Sequence, residues 1–108
     1  MNAEVSGNST IIRVEDPHLD HENELELRRL VKKQMTEGVK KVLIDLAQVI
    51  QISSLGLGAL VTSQKVVNRN DGQMRLCSVQ ADVLSMMELT QLSQLFLIYP
   101  NEQSALKD

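Results

Sequence analysis

Aromatic side chains are nearly missing: Phe96 and Tyr99 are the only two, and there is no tryptophan. A core must therefore be aliphatic, packed from Leu, Ile, Val and Met. Cysteine is down to one, Cys77, which excludes an internal disulfide and suits a reducing compartment. It falls in the apolar run Met74 to Val79 with no adjacent base or second cysteine, so it reads as a buried strand thiol. Lys and Arg never run beyond a pair and the net charge is −3, which leaves no electrostatic footprint for nucleic acid. The pairs Arg28-Arg29 and Lys32-Lys33 follow Glu24 and Glu26 and read as a solvated helix face. No stretch approaches the ~20 apolar residues of a membrane span. Met1 to Val5 has neither a basic segment nor an apolar one, so no secretory leader is expected there and a cytoplasmic location is.

What is present fits one globular domain. The 108 residues are 43% hydrophobic and 23% charged, enough for a single core and too apolar for disorder. Ala3 to Val5 reads as a short strand, and Gly7-Asn8 is a hairpin turn signal. Thr10 to Val14 is a second strand, and Asp16-Pro17 stops it. Asp20 to Glu24 opens a helix that carries Leu27, Leu30, Val31 and Met35 on one face, and Gly38 ends it. Val42-Leu43-Ile44 is apolar on both faces, which predicts a central parallel strand within Val39 to Leu46. A second helix from Ser54 to about Arg69 buries Leu57, Leu60, Val61 and Val67. Asn68 to Gly72 is a turn and Gln73 to Val79 a strand. A third helix, Ala81 to Leu89, turns Val83, Leu84 and Met87 inward. Phe96 to Tyr99 is a last strand, stopped by Pro100, and Asn101 can cap a final turn through Lys107. The alternation predicts an α/β fold: a mostly parallel sheet, an antiparallel N-terminal edge hairpin and four helices.

Enzyme signatures are thin. Gly56-Leu57-Gly58 is superficially similar to a dinucleotide fingerprint, but Val61 stands at the third glycine position and both glycines fall inside the helix. They read instead as sites of close packing at the helix start, which they also weaken as a helix. Ser53, Ser54, Asp20, His18 and His21 could be drawn as a triad, yet there is no G-x-S-x-G elbow. His18 and His21 with Asp20 supply metal-ligand types without a second cluster, so they read as surface residues beside a helix start. No cofactor and no metal are expected. Of the Met86-Met87 pair, one side chain belongs to the core and the other is half-exposed, where it could meet a partner.

The remaining feature is Ser53-Ser54, two hydroxyls at the start of a helix. Free backbone N–H groups and the positive end of the helix dipole favour an anion there. That geometry suits a serine that becomes phosphorylated; a plain N-cap is the alternative.

In this region the chain resembles the STAS-domain proteins, specifically the bacterial anti-sigma factor antagonists. Asp45-Leu46 matches their strand end, and Ile52-Ser53-Ser54-Leu55-Gly56-Leu57-Gly58 their loop and helix start. Leu19-Asp20-His21 is similar to the family's Glu-Leu-Asp signature. Met74-Arg75-Leu76-Cys77 matches the strand before the third helix, and Glu88-Leu89-Thr90-Gln91-Leu92 the Leu-Thr-Gly-Leu turn. The four lie in order over nearly the whole chain, which implies one STAS domain over residues 1–108. Departures are local. Ser53 stands in place of the family aspartate, Leu55 in place of its second hydroxyl, Gln91 in place of a glycine, and Pro17-His18 in place of Gly-Glu.

The resemblance implies a regulator and not an enzyme. Ser54 maps onto the phosphoacceptor. The partner-binding surface would comprise Asp20, His21, Ser53, Ser54, Leu55, Gly56 and Leu57. The implied partners are a cytoplasmic anti-sigma factor with serine kinase activity, whose binding releases a sigma factor, and a serine phosphatase that resets the switch. Homodimerisation is compatible with the family. The alternative is a STAS subunit that regulates an ABC-type lipid transporter, or a scaffold that is never phosphorylated.

Overall fold

The structure is a computed structural model that describes residues 1–107; Asp108, the last residue of the expected domain, lies outside them. Two strands open the chain, β1 (Asn2–Ser6) and β2 (Ser9–Arg13). They pair antiparallel across a turn in which Gly7 has φ +60, a conformation open to glycine. After a two-residue strand, β3 (His18–Leu19), comes α1 (Glu24–Thr36). Strand β4 (Lys41–Asp45), a second two-residue strand β5 (Gln51–Ile52) and helix α2 (Ser54–Arg69) follow. The chain then forms β6 (Gln73–Cys77), α3 (Ala81–Leu89), a 3-10 turn at Ser93–Leu95, β7 (Leu97–Tyr99) and α4 (Glu102–Lys107).

The main sheet has five strands in the order β1-β2-β4-β6-β7, parallel except for the β1 edge. Strand β4 is central, as its doubly apolar run requires. Ile44 lies in register with Ile12 and Leu76 on one face, and Leu43 with Ile11 on the other. The first face is covered by α1, α2 and α3, and the main core forms there from side chains such as Leu27, Val31, Leu57, Leu60, Val83 and Met87. The second face carries a smaller cluster, Ile11, Leu43, Cys77 and Ala105, closed by α4. Arg13 and Arg75 fasten that helix. One donates to Glu102 at its start (2.6 Å) and the other to the carbonyl of Ala105 (2.6 Å). Asn101 caps α4, accepting from the Ser104 N–H at 2.8 Å. Among the described residues no helix is long and apolar enough to cross a membrane.

The boundaries of α2 and α3 agree with the sequence reading, and the other elements fall within a few residues. Strand β6 stops at Cys77 rather than Val79, because Ser78 takes a left-handed φ of +57. The first helix starts at Glu24, and Asp20 belongs to the turn before it: its carbonyl accepts from Asn23 and Glu24. Two strands were not expected. Strands β3 and β5 form a separate parallel pair, with His18 opposite Gln51 and Leu19 opposite Ile52. Two residues are too few to show any periodicity, yet this pair assembles the candidate site.

Candidate functional site

The site begins with two loops that leave the same end of the main sheet. One follows β2 and contains β3; the other follows β4 and contains β5. Backbone bonds stitch them together. The carbonyl of Pro17 accepts from Ile50 (2.8 Å) and Gln51 (3.2 Å), and that of Leu19 accepts from Ser53 (3.0 Å). Asp20 and Ser53 thereby become neighbours around one groove.

Asn23 fixes the first loop. It is only 7% exposed. Its amide nitrogen donates to the His18 carbonyl (2.7 Å) and to Asp16 (3.0 Å), while its oxygen accepts from the Asp20 N–H (3.0 Å). The Asp20 carboxylate in turn accepts from Glu22 N–H at 3.0 Å, so it is held in a turn and not swinging free. The second loop is fixed at its base. Asp45 accepts from the Ala47 N–H (2.9 Å), and Gln80 donates to the Ala47 carbonyl (2.6 Å).

The two serines have different roles. Ser53 is the N-cap of α2, and its hydroxyl accepts from the Gly56 N–H at 3.2 Å. Its carbonyl takes the first helical bond, from Leu57 at 2.9 Å. Ser54 is the first residue of the helix and is exposed. Its hydroxyl has no hydrogen-bond partner among the described residues. The cap also leaves the N–H groups of Ser54 and Leu55 without a partner among those residues, at the positive end of a 16-residue helix.

Gly56 explains how the helix start comes so close to β3. A Cβ there would lie 2.2 Å from the Leu19 carbonyl oxygen. Gly58 has no such constraint; its nearest neighbour would be the Arg28 guanidinium at 3.6 Å. Close packing therefore holds for the first glycine only. Gly56 is also buried, while Ser54 and Leu55 just before it are exposed.

The groove has a volume of about 380 Å³ and is lined by His18, Asp20, Ile50, Gln51, Ile52, Ser53, Asp82 and Met86. The expected surface residues distribute unevenly around it. Asp20 and Ser53 line it. Ser54 and Leu55, the latter 49% exposed, continue from Ser53 along the helix start. His21 is exposed and points to Glu22 at 4.0 Å rather than into the groove. Gly56 and Leu57 (4% exposed) are interior and can hold the helix in place but cannot present a face to a partner.

Sequence reasoning missed Ile50, Gln51 and Asp82. Met87 is fully buried and Met86 is 41% exposed, so the latter is the one that faces the groove. Asp82 and Met86 are four apart on α3, a spacing that places them on one face and was the available signal. No cluster of His, Cys, Asp and Glu suited to a metal ion occurs among the described residues.

The STAS domain family pattern matches residues 1–105. The chain belongs to the STAS domain family. An anti-sigma F factor antagonist of Paenibacillus polymyxa is 27% identical over 84 residues, which span 73% of this STAS chain and 72% of that protein. Among solved structures, an anti-sigma-factor antagonist (STAS) domain protein from Planctomyces limnophilus superposes with a TM-score of 0.87 at 23% identity, covering 98% of this chain and 94% of that one. The Bacillus cell fate determinant SpoIIAA in its phosphorylated form superposes with a TM-score of 0.74 at 16% identity, covering 98% and 96%. These two likenesses establish the STAS fold, including the antiparallel edge and the four helices.

Proposed function

We propose that this chain is an anti-sigma factor antagonist whose switch is Ser54. The observation that carries the reading is the division between the adjacent serines: Ser53 is engaged as the cap, and Ser54 presents an unbonded, exposed hydroxyl beside two free N–H groups. The named relatives support it: the Paenibacillus and Planctomyces proteins are described as antagonists, and so is SpoIIAA, which is also described in a phosphorylated form.

In its unmodified state the domain binds an anti-sigma factor with serine kinase activity in the cytoplasm and frees the sigma factor. The kinase then transfers the γ-phosphoryl group of ATP to the Ser54 oxygen. The new O–P bond replaces the β–γ bridge, ADP leaves, and the serine proton passes to the kinase's base or to solvent. The product carries ~1.5–2 additional negative charges at pH 7. Within this domain the helix start tolerates that charge. Buried against the partner without a cation, it costs several kcal/mol. The complex therefore separates while the fold persists, and a serine phosphatase restores the starting state. The chain is the substrate of this chemistry and not its catalyst.

Incubation with ATP and each serine kinase of the source genome, followed by intact-mass measurement, tests the proposal. One phosphoryl group should be gained, lost in Ser54→Ala and kept in Ser53→Ala. A label that stays in Ser54→Ala, or no label with any kinase that binds the protein, would sink it.

A further inference from the structure

The groove beside Ser54 is one end of a longer acidic trough. A second depression, lined by Asp16, Pro17, His18, Asp20, Glu22, Asn23 and Glu26, shares His18 and Asp20 with it. Neither is lined by a Lys or an Arg. From Glu15 to Glu26 the sequence holds six carboxylates and no Lys or Arg. Some are partly engaged: Glu26 meets the Met1 ammonium at 3.3 Å, and Glu24, outside both linings, is paired with Arg28 at 2.6 Å. Asp20 and Asp82 have no ion-pair partner among the described residues, and they stand with the apolar side chains of Ile50, Ile52 and Met86. Ile50 is 49% exposed and Met86 41%.

We infer that this trough docks a protein segment that carries basic side chains flanked by apolar ones, and that Asp82 and Met86 on α3 select it. Charge complementarity chooses the occupant. An acidic segment would meet like charge along the whole trough, and a purely apolar one would desolvate the Asp20 and Asp82 carboxylates with no cation to meet them. A basic side chain beside either carboxylate gains a charge-assisted hydrogen bond, while its apolar neighbours cover Ile50 and Met86. The acidic stretch from Asp16 to Glu26 adds a longer-range attraction that orients the segment before contact. The inference rests on the proposed function, in that the surface beside Ser54 binds a protein. It adds the chemistry of that protein and places a contact on α3.

The probe is a blocked peptide, Leu-Arg-Leu-Leu-Arg-Leu, with Leu-Glu-Leu-Leu-Glu-Leu as its counterpart, each titrated into ¹⁵N-labelled full-length protein. The arginine peptide should shift the amides of residues 18–26, 50–53 and 82–86. Its affinity should fall roughly tenfold or more as salt screens the trough. Asp82→Asn should weaken it about threefold to tenfold, while Asp82→Glu keeps most of it. Met86→Ser should weaken it without changing the salt dependence. Circular dichroism confirms that each variant is folded. Equal binding of the glutamate peptide, shifts elsewhere on the protein, or an unchanged affinity in Asp82→Asn would overturn the inference. So would concentration-dependent self-association through the same residues. Phosphorylation of Ser54 is read separately. A kinase that labels Ser54 while Asp82→Asn binds normally overturns this inference and leaves the switch standing. A selective arginine-peptide response without any labelling removes only the switch.

Discussion

A methyl group on Gly56 has nowhere to go, because the Leu19 carbonyl oxygen at 2.2 Å is backbone held in the β3–β5 pair. Gly56→Ala must push the helix start off β3, and with it the loop that presents Asp20. An overpacking cost of about 2–3 kcal/mol is expected in urea unfolding. Gly58→Ala two residues on should do the reverse, since 3.6 Å to a flexible guanidinium is an ordinary contact. Alanine there removes a helix penalty and should stabilise by up to about 1 kcal/mol. Equal effects of the two substitutions would contradict the packing described here.

Among the elements, those with periodicity were legible. Leu57, Leu60 and Val67 mark the buried side of α2, and Ser53-Ser54 its start, because apolar spacing and capping chemistry are both local. Strands β3 and β5 were not legible, and Asp20 and Ser53 could be joined only by family likeness. What joins them physically is backbone pairing plus Asn23, whose composition gives no hint of its burial. Asp82 was harder to find for a related reason: an acidic residue in the first turn of a helix is ordinary, its spacing from Met86 says only that the two share a face, and the tertiary fold turns that face toward the groove. Gln91 adopts a φ of +61 in the turn after α3, and the one sign of it in the sequence is that Gln91 stands where the resemblance implies a glycine. The loop containing β3 depends on its clamp. Asn23→Ala leaves the Asp20 N–H and the His18 carbonyl without their partner and should cost about 2–3 kcal/mol. Asn23→Asp should cost more, since a carboxylate would face Asp16 and a carbonyl. Hydrogen exchange at the Asp20 amide checks the mechanism: it should accelerate in both variants while the β4 amides remain slow.

At the scale of the whole molecule, the second face of the sheet ties stability to pH. Burial pushes the Cys77 thiol up from 9.0 to about 11, and the Asp45 carboxylate adds to the shift. Below pH 9 the thiol is protonated in both the folded and unfolded chains, and its contribution is complete. Between pH 9 and 11 the unfolded chain loses the proton first, so stability falls as pH rises, by about 2–3 kcal/mol over the window. Cys77→Ala should be less stable at neutral pH because of its cavity, yet should lack this alkaline slope. Urea midpoints measured from pH 8 to 11 for both proteins decide the point; parallel curves would refute it. The β3–β5 pair has a consequence at the same scale. The two sides of the groove come from segments separated by the whole of α1 and β4, so the groove exists only once that long-range pairing has been made. A chain can therefore carry every residue of the site and still offer no groove until β3 and β5 have paired. On the proposed function, a partner that docks beside Ser54 would read a finished fold, and an incomplete copy would stay silent.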